Sequence, residues 1–203
     1  MVDQPNLFAS PPEGPPGFAY ADAFVTQQAE RALVERLAGL PLRPFEFQGF
    51  TGKRRVTSFG WRYDFNTARF ERAEPIPDWL TDLRAAAGAF AGIEPEALEQ
   101  VLTTEYAPGA GIGWHRDRPV FDRVVGVSLL GPCVFRFRRR REGGFDRISV
   151  PLAAGSAYAL DGPSRTDWEH SIPAVDALRY SVTFRTLRRP QAGANPTSVR
   201  MAP

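Results

Sequence analysis

Two stretches of the chain carry apolar residues at helical spacing. In TQQAERALVERLAGL, residues Ala29, Leu33, Val34 and Leu37 fall on one face, with Thr26 placed to cap the start and Gly39 to end the helix. In PDWLTDLRAAAGAFAG the stripe is Leu80, Leu83, Ala87 and Phe90, with Asp78 as cap and Gly92 as stop. Most of the remainder has a period of two. Phe59, Trp61, Tyr63 and Phe65 alternate with Gly60, Arg62 and Asp64; VVGVSLL and PCVFRFR read as strands joined at Gly131-Pro132; RREGGF reads as a hairpin turn; RISVPL, SAYAL and RYSVTFRT read as further strands. Strands and helices do not alternate, which argues against a parallel sheet. The expected fold is α+β, mainly β with flanking helices: a β-sandwich or jelly roll with helices on one side.

Residues 1–20 are crowded with Pro and Gly, and residues 188–203 lack any pattern, so both ends are expected to be flexible tails around one domain at 21–187. The length of 203 residues and 43% hydrophobic content suit a single core, and a net charge of +2 permits a nucleic-acid partner without demanding one. Cys133 is the only cysteine, which excludes an intramolecular disulfide and a cysteine-rich zinc site and fits a reducing compartment. No apolar run has the length of a membrane span, and the start lacks the basic-then-apolar order of a signal peptide. A cytoplasmic monomer away from membranes is expected.

The candidate chemistry sits in GIGWHRDRP. Residues two apart on a strand point to the same side, so His115 and Asp117 can present an imidazole and a carboxylate to one point. H-x-D pairs are more often solvated strand ends than metal sites. The only other histidine, His170, would complete a set of two His and one carboxylate, the facial arrangement of non-haem Fe(II) oxygenases. In RYSVTFR, Tyr180, Val182 and Phe184 form an apolar face, and Arg179, Ser181, Thr183 and Arg185 form the opposite one. That second face is either wet or lines a polar cavity in which two arginines can grip a small dicarboxylate.

Three ordered motifs extend this. Tyr106, Pro108 and Gly109 precede the H-x-D in TEYAPGAGIGWHRD; Gly162, Ser164 and Arg165 precede His170 in GPSRTDWEH; and RYSVTFR closes the series. Over roughly residues 100–186 the chain resembles the AlkB-like family of Fe(II)- and 2-oxoglutarate-dependent dioxygenases. The resemblance implies a double-stranded β-helix and Fe(II) ligation by His115, Asp117 and His170. It also implies that Arg179, helped by the Tyr106 hydroxyl, pairs with the distal carboxylate of 2-oxoglutarate, and that Arg185 lies near the end that chelates iron. O2 and 2-oxoglutarate would yield succinate and CO2 while an N-methyl group is hydroxylated and lost as formaldehyde. The implied partner is alkylated DNA or RNA. Thr104 and Ser181 stand where the family has asparagines; each keeps one hydrogen-bond donor for the co-substrate. Pro119 stands where the DNA-repair members carry an acidic residue that contacts the damaged base.

The family's substrate lid maps to about residues 45–70, where Lys53, Arg54 and Arg55 mix with Phe50, Phe59, Trp61 and Tyr63. Arg54, Arg55, Phe59, Trp61 and Tyr63, with Arg165, are the expected substrate contacts, such a blend suiting phosphates and a stacked base. The same alternation equally describes the buried face of a strand. Arg136 and Arg138–Arg141 either track a phosphate backbone or form a solvated hairpin tip. Trp114 and Trp168 read as packing residues beside metal ligands, and Cys133 as a small core residue. Two other functions fit: the same chemistry on a protein side chain or small molecule, and a basic binding module without catalysis.

Overall fold

The computed structural model describes residues 12–47, 49–64 and 67–189. In chain order the elements are β1 (Phe18–Ala21), α1 (Gln27–Ala38), β2 (Arg43–Phe47), β3 (Phe50–Phe59), β4 (Trp61–Asp64), β5 (Arg69–Arg72), α2 (Thr81–Ala91), β6 (Gln100–Tyr106), β7 (Ile112–His115), β8 (Phe121–Leu129), β9 (Cys133–Arg141), β10 (Gly144–Leu152), β11 (Ala157–Leu160), α3 (Gly162–Thr166), β12 (Glu169–Ile172) and β13 (Arg179–Leu187). Seven strands form a major sheet in the order β1-β11-β8-β13-β6-β3-β2, and four form a minor sheet in the order β10-β9-β12-β7, each antiparallel to its neighbours. The jelly-roll expectation holds.

The period of two in β13 divides the molecule into layers. Tyr180, Val182 and Phe184 face α1 and α2 in a core that also holds Leu33, Leu37, Leu80, Leu83 and Ala87 from the helices and Phe59, Val101, Val125 and Val127 from the sheet. A second apolar cluster, with Tyr106, Val124, Phe135, Phe137, Val150, Tyr158 and Ile172, lies between the two sheets. Burying two faces of one sheet removes most of its apolar surface from water, the dominant favourable term in folding. The chain crosses between sheets at Leu130, whose φ of 70° is held in place by its N–H donating to Glu30 Oε1 at 2.8 Å.

Several local expectations change. Thr26 caps α1 as expected, its hydroxyl accepting from the N–H of Ala29, but Ala29 itself is exposed and only Leu33 and Leu37 of that stripe are buried. Asp78 opens a short 3-10 turn and caps no helix; α2 begins at Thr81 and ends at Gly92 in the left-handed conformation. Gly60, with φ of 73°, breaks the expected strand through Phe59, Trp61 and Tyr63, so Phe59 ends β3 while Trp61 and Tyr63 belong to the separate β4–β5 hairpin. Regular structure also begins inside the expected N-terminal tail. β1 pairs with β11, and the Phe18 ring packs edge-on against Phe137 at 5.4 Å. Of the expected tails, residues 1–11 and 190–203 lie outside the described residues, as does Phe65. No helix among the described residues is long and apolar enough to cross a membrane.

Candidate active site

A cleft of about 1640 Å³ opens between the sheets, lined on one side by the odd-numbered residues of β13 and on the other by β7 and β12. β7 and β12 pair so that His115 lies opposite His170, their ring centroids 4.3 Å apart. Only a glycine permits this approach at Gly111, where a Cβ would lie 2.6 Å from the carbonyl oxygen of Ile172. His115 Nδ1 donates to the carbonyl of Gly113 at 2.9 Å, which leaves Nε2 as its free lone pair. Asp117 follows in the loop after β7: its Oδ1 accepts from Arg185 Nη2 at 3.0 Å, and its Oδ2 lies 3.9 Å from His170 Nε2.

Electrostatics fix the protonation of these groups. Burial, assisted by the charge of neighbouring groups, pushes the His170 imidazole down to about 3, and burial also lowers His115, so both are neutral near pH 7. His170 and Asp117 are therefore not an ion pair. Burial alone would raise the Asp117 carboxyl, but Arg185 first and then the histidines and Arg165 hold it well below the usual carboxylate range. Two neutral imidazoles and one carboxylate are the donor chemistry of a divalent transition metal. As they stand, no three His, Cys, Asp or Glu side chains among the described residues close on a single point tightly enough to enclose an ion. Asp117 is held towards Arg185 through its Oδ1. The donor set fits Fe(II) in kind.

A polar row crosses the floor of the cleft. Ser128 of β8, Ser181 of β13 and Thr104 of β6 lie in cross-strand register. Arg179, 1% exposed, pairs in register with Tyr106, and its guanidinium carbon sits 4.6 Å from the centre of that ring. Its Nε donates to Ser128 Oγ at 3.1 Å, and its Nη1 has no partner. A buried guanidinium N–H without an acceptor is expensive and marks a place for an anionic group. At the other end of the strand Arg185 donates through Nη1 to Gln100 at 2.9 Å and through Nη2 to Asp117. Arg179, Tyr106, Thr104, Ser181 and Arg185 thus line one cavity with the histidines and Asp117.

The expected substrate contacts divide. Arg54 lines the cleft with its guanidinium over the Phe45 ring at 3.7 Å, and Tyr63 lines it beneath Arg118, at 4.7 Å. Arg55 points the other way, pairing with Glu105 at 3.1 Å and donating to the carbonyl of Leu42. Phe59 is buried in the helix-facing core. Both corrections follow from strand alternation: Arg54, Val56 and Ser58 take the cleft side of β3, so Arg55 and Phe59 cannot. Trp61 is not part of the lining and stacks on Phe70 at 4.8 Å. Arg165 borders the cleft but spends its Nη2 on the carbonyls of Arg118 and Phe121, each at 2.8 Å, bracing the loop that carries Asp117.

Sequence reasoning passed over Ser128, Gln100, Arg118 and Tyr158. Ser128 had a signal, a lone hydroxyl inside the apolar run VVGVSLL. Tyr158 had none, because an aromatic in SAYAL reads as core until its partner across the sheet is known.

A profile described as the 2OG-Fe(II) oxygenase superfamily matches residues 17–185. The "Alkylated DNA repair protein ALKBH8 homolog" of Arabidopsis thaliana is 27% identical over 200 residues, covering 86% of this chain and 56% of that protein. The "Alpha-ketoglutarate-dependent dioxygenase AlkB" of Salmonella typhimurium is 30% identical over 151 residues, covering 63% of this chain and 67% of that protein. Among solved structures, OsALKBH1 superposes with a TM-score of 0.66 at 17% identity, covering 86% of this chain and 98% of that one, which is a likeness of fold. The chain spans about half the length of several relatives it matches.

Proposed function

Because this chain belongs to the AlkB-like branch of the 2OG-Fe(II) oxygenase superfamily, we propose that it is a 2-oxoglutarate-dependent dioxygenase that removes alkyl groups from nucleobases in DNA or RNA, releasing formaldehyde, succinate and CO2. The observation that carries the reading is the shared cavity: His115, His170 and Asp117 gather at one end, and the buried Arg179, with Nη1 unpaired, stands at the other. His115, Asp117 and His170 would hold Fe(II), which with bound 2-oxoglutarate and O2 supplies the oxidation of an N-alkyl carbon.

The protein's own part is placement. Arg179 offers its free N–H to the distal carboxylate of 2-oxoglutarate, Ser128 fixes the guanidinium plane, and Thr104 and Ser181 offer hydroxyls along the floor. Arg185 neutralises charge beside Asp117, and Gly113 holds His115 in the tautomer whose Nε2 can ligate. At the mouth, Arg54 and the Arg118–Tyr63 stack supply a cation and a ring for a phosphate and a base. The names of the Arabidopsis relative and of human "DNA oxidative demethylase ALKBH2" both refer to DNA.

The test is formaldehyde and succinate release, with Fe(II) and 2-oxoglutarate, on oligonucleotides carrying N1-methyladenine or N3-methylcytosine against unmethylated controls. Matched formaldehyde and succinate from the methylated strand alone is the expected result. Equal succinate from both strands without formaldehyde would reject the nucleobase as substrate and favour a protein side chain or small molecule.

A further inference from the structure

The formal charge of this chain is unevenly distributed. The β9–β10 hairpin, residues 133–152, holds six arginines against Glu142 and Asp146, a net of +4 in a chain whose total is +2, so the remainder is net acidic. Asp146 is occupied by Arg139 and Arg141, at 3.0 and 3.1 Å. Arg138 pairs with Glu169 on β12 at 2.6 Å. Among the described residues, Arg136, Arg140 and Arg147 have no carboxylate within ion-pair distance.

Strand alternation gathers these three on one surface. Phe135 and Phe137 point inward, so Arg136, Arg138 and Arg140 point outward, and the register sets Arg147 beside Arg138 and Phe145 beside Arg140 on the same face. There the side chains stack. Arg136 lies 5.1 Å from the Trp114 ring centre, and Arg138 is 4.6 Å from Trp114 and 4.7 Å from Phe145. Arg147 is 5.4 Å from Phe145. Guanidiniums held over rings are already partly ordered and lose less side-chain freedom when they bind. A merely solvated hairpin tip does not need this order.

We propose that this outer face of the minor sheet is a second contact surface for nucleic acid, binding the phosphate backbone of the strand whose base enters the cleft. It rests on the reading of the substrate as nucleic acid, and its position agrees. β7 and β12 serve both sites: His115 and His170 face the cleft, while Trp114 and Glu169 face outward, and β7 is the edge strand of the sheet. A polyanion crossing that edge passes from the arginine ladder into the mouth, where Arg116 is exposed and borders the cleft. Charge complementarity selects a phosphate chain, and the interleaved rings suit a single strand.

The experiment is binding of a fluorescein-labelled single-stranded oligonucleotide without alkylated bases, titrated over salt, with the metal-free full chain. It needs no catalysis, so failure of demethylation with retained binding leaves this surface standing. The double variant Arg140→Ala with Arg147→Ala removes two exposed charges from the ladder; Arg31→Ala with Arg36→Ala removes two exposed charges from α1 on the far side of the major sheet. For single strands each neutralised phosphate contributes about −0.7 to the slope of log K against log salt. The ladder variant is expected to lower the steepness by about 1.4, and to weaken binding several-fold, while the α1 variant leaves both unchanged. Equal effects from the two variants, no effect from the ladder variant, or no binding by the parent chain at low salt would each overturn the proposal. Thermal melting monitors folding, and Arg140→Gln with Arg147→Gln replaces the alanine pair if the latter is unstable.

Discussion

The ring of Tyr158 lies across the backbone of Gly126, so close that a Cβ at position 126 would meet its Cζ at 2.3 Å and its hydroxyl oxygen at 2.5 Å. The two residues are cross-strand partners on β11 and β8, with Thr183 of β13 next in register. The glycine therefore lets a large phenol lean into the cavity. Burial raises the Tyr158 phenol well above its ordinary value, so it remains a neutral donor there.

Gly126→Ala should evict that ring. Overpacking of this kind costs about 1–3 kcal/mol, and the displaced phenol would enter the space proposed for the co-substrate, raising the KM for 2-oxoglutarate. Gly126→Ala combined with Tyr158→Val should recover most of both losses. Thermal unfolding and co-substrate kinetics on the two single variants and the double variant would measure the coupling; additive losses would show that the pair does not act together.

Ser128→Ala removes the acceptor of Arg179 Nε and leaves a second unpaired N–H on a buried guanidinium. The cost should be about 1–3 kcal/mol. The kinetic signature should be a raised KM for 2-oxoglutarate with kcat little changed, because Ser128 holds the arginine and does not touch the proposed metal ligands. Ser128→Thr, which keeps the hydroxyl, should restore the KM. A fall in kcat at unchanged KM would contradict this role.

Much of this arrangement was legible in the chain because it is encoded by local periodicity. The two faces of RYSVTFR became a helix-facing core and a cavity floor, and H-x-D with a distant histidine became one cluster because a sheet pairing joins β7 to β12. The differences on β3 share one cause. A period of two says that residues alternate, but it names neither the buried face nor the end of the strand. Arg55 and Phe59 take the side of β3 away from the cleft, and Gly60 ends a strand that the aromatic pattern continues. The bracing role of Arg165 was invisible for another reason: its acceptors are main-chain carbonyls 44 and 47 residues away, and every residue type supplies a carbonyl.

Arg165→Met should loosen the loop between β7 and β8. The substitution keeps the buried volume but leaves the carbonyls of Arg118 and Phe121 without their charged donor, which should cost about 2–4 kcal/mol. Hydrogen exchange should quicken selectively at the amides of residues 116–118, 120 and 121, whereas β13 remains protected. Uniform acceleration across both sheets would indicate a global loss of stability and no local brace.

His170→Ala and Asp117→Asn separate ligation from folding. Fe(II) added anaerobically at about 100 times its Kd should stabilise the parent chain by about 2.7 kcal/mol. For a chain of this size that is a rise in Tm of roughly 5–10 °C, reversed by a chelator. Both variants should lose this response. They should differ without metal: His170→Ala removes a neutral ring whose loss is mainly one of packing, whereas Asp117→Asn strips Arg185 of its buried carboxylate. Breaking such a pair typically costs about 3–5 kcal/mol. Equal metal-free stabilities in the two variants would mean that the Arg185–Asp117 contact carries little of the fold, and a retained Tm response in either would remove that residue from the proposed metal site.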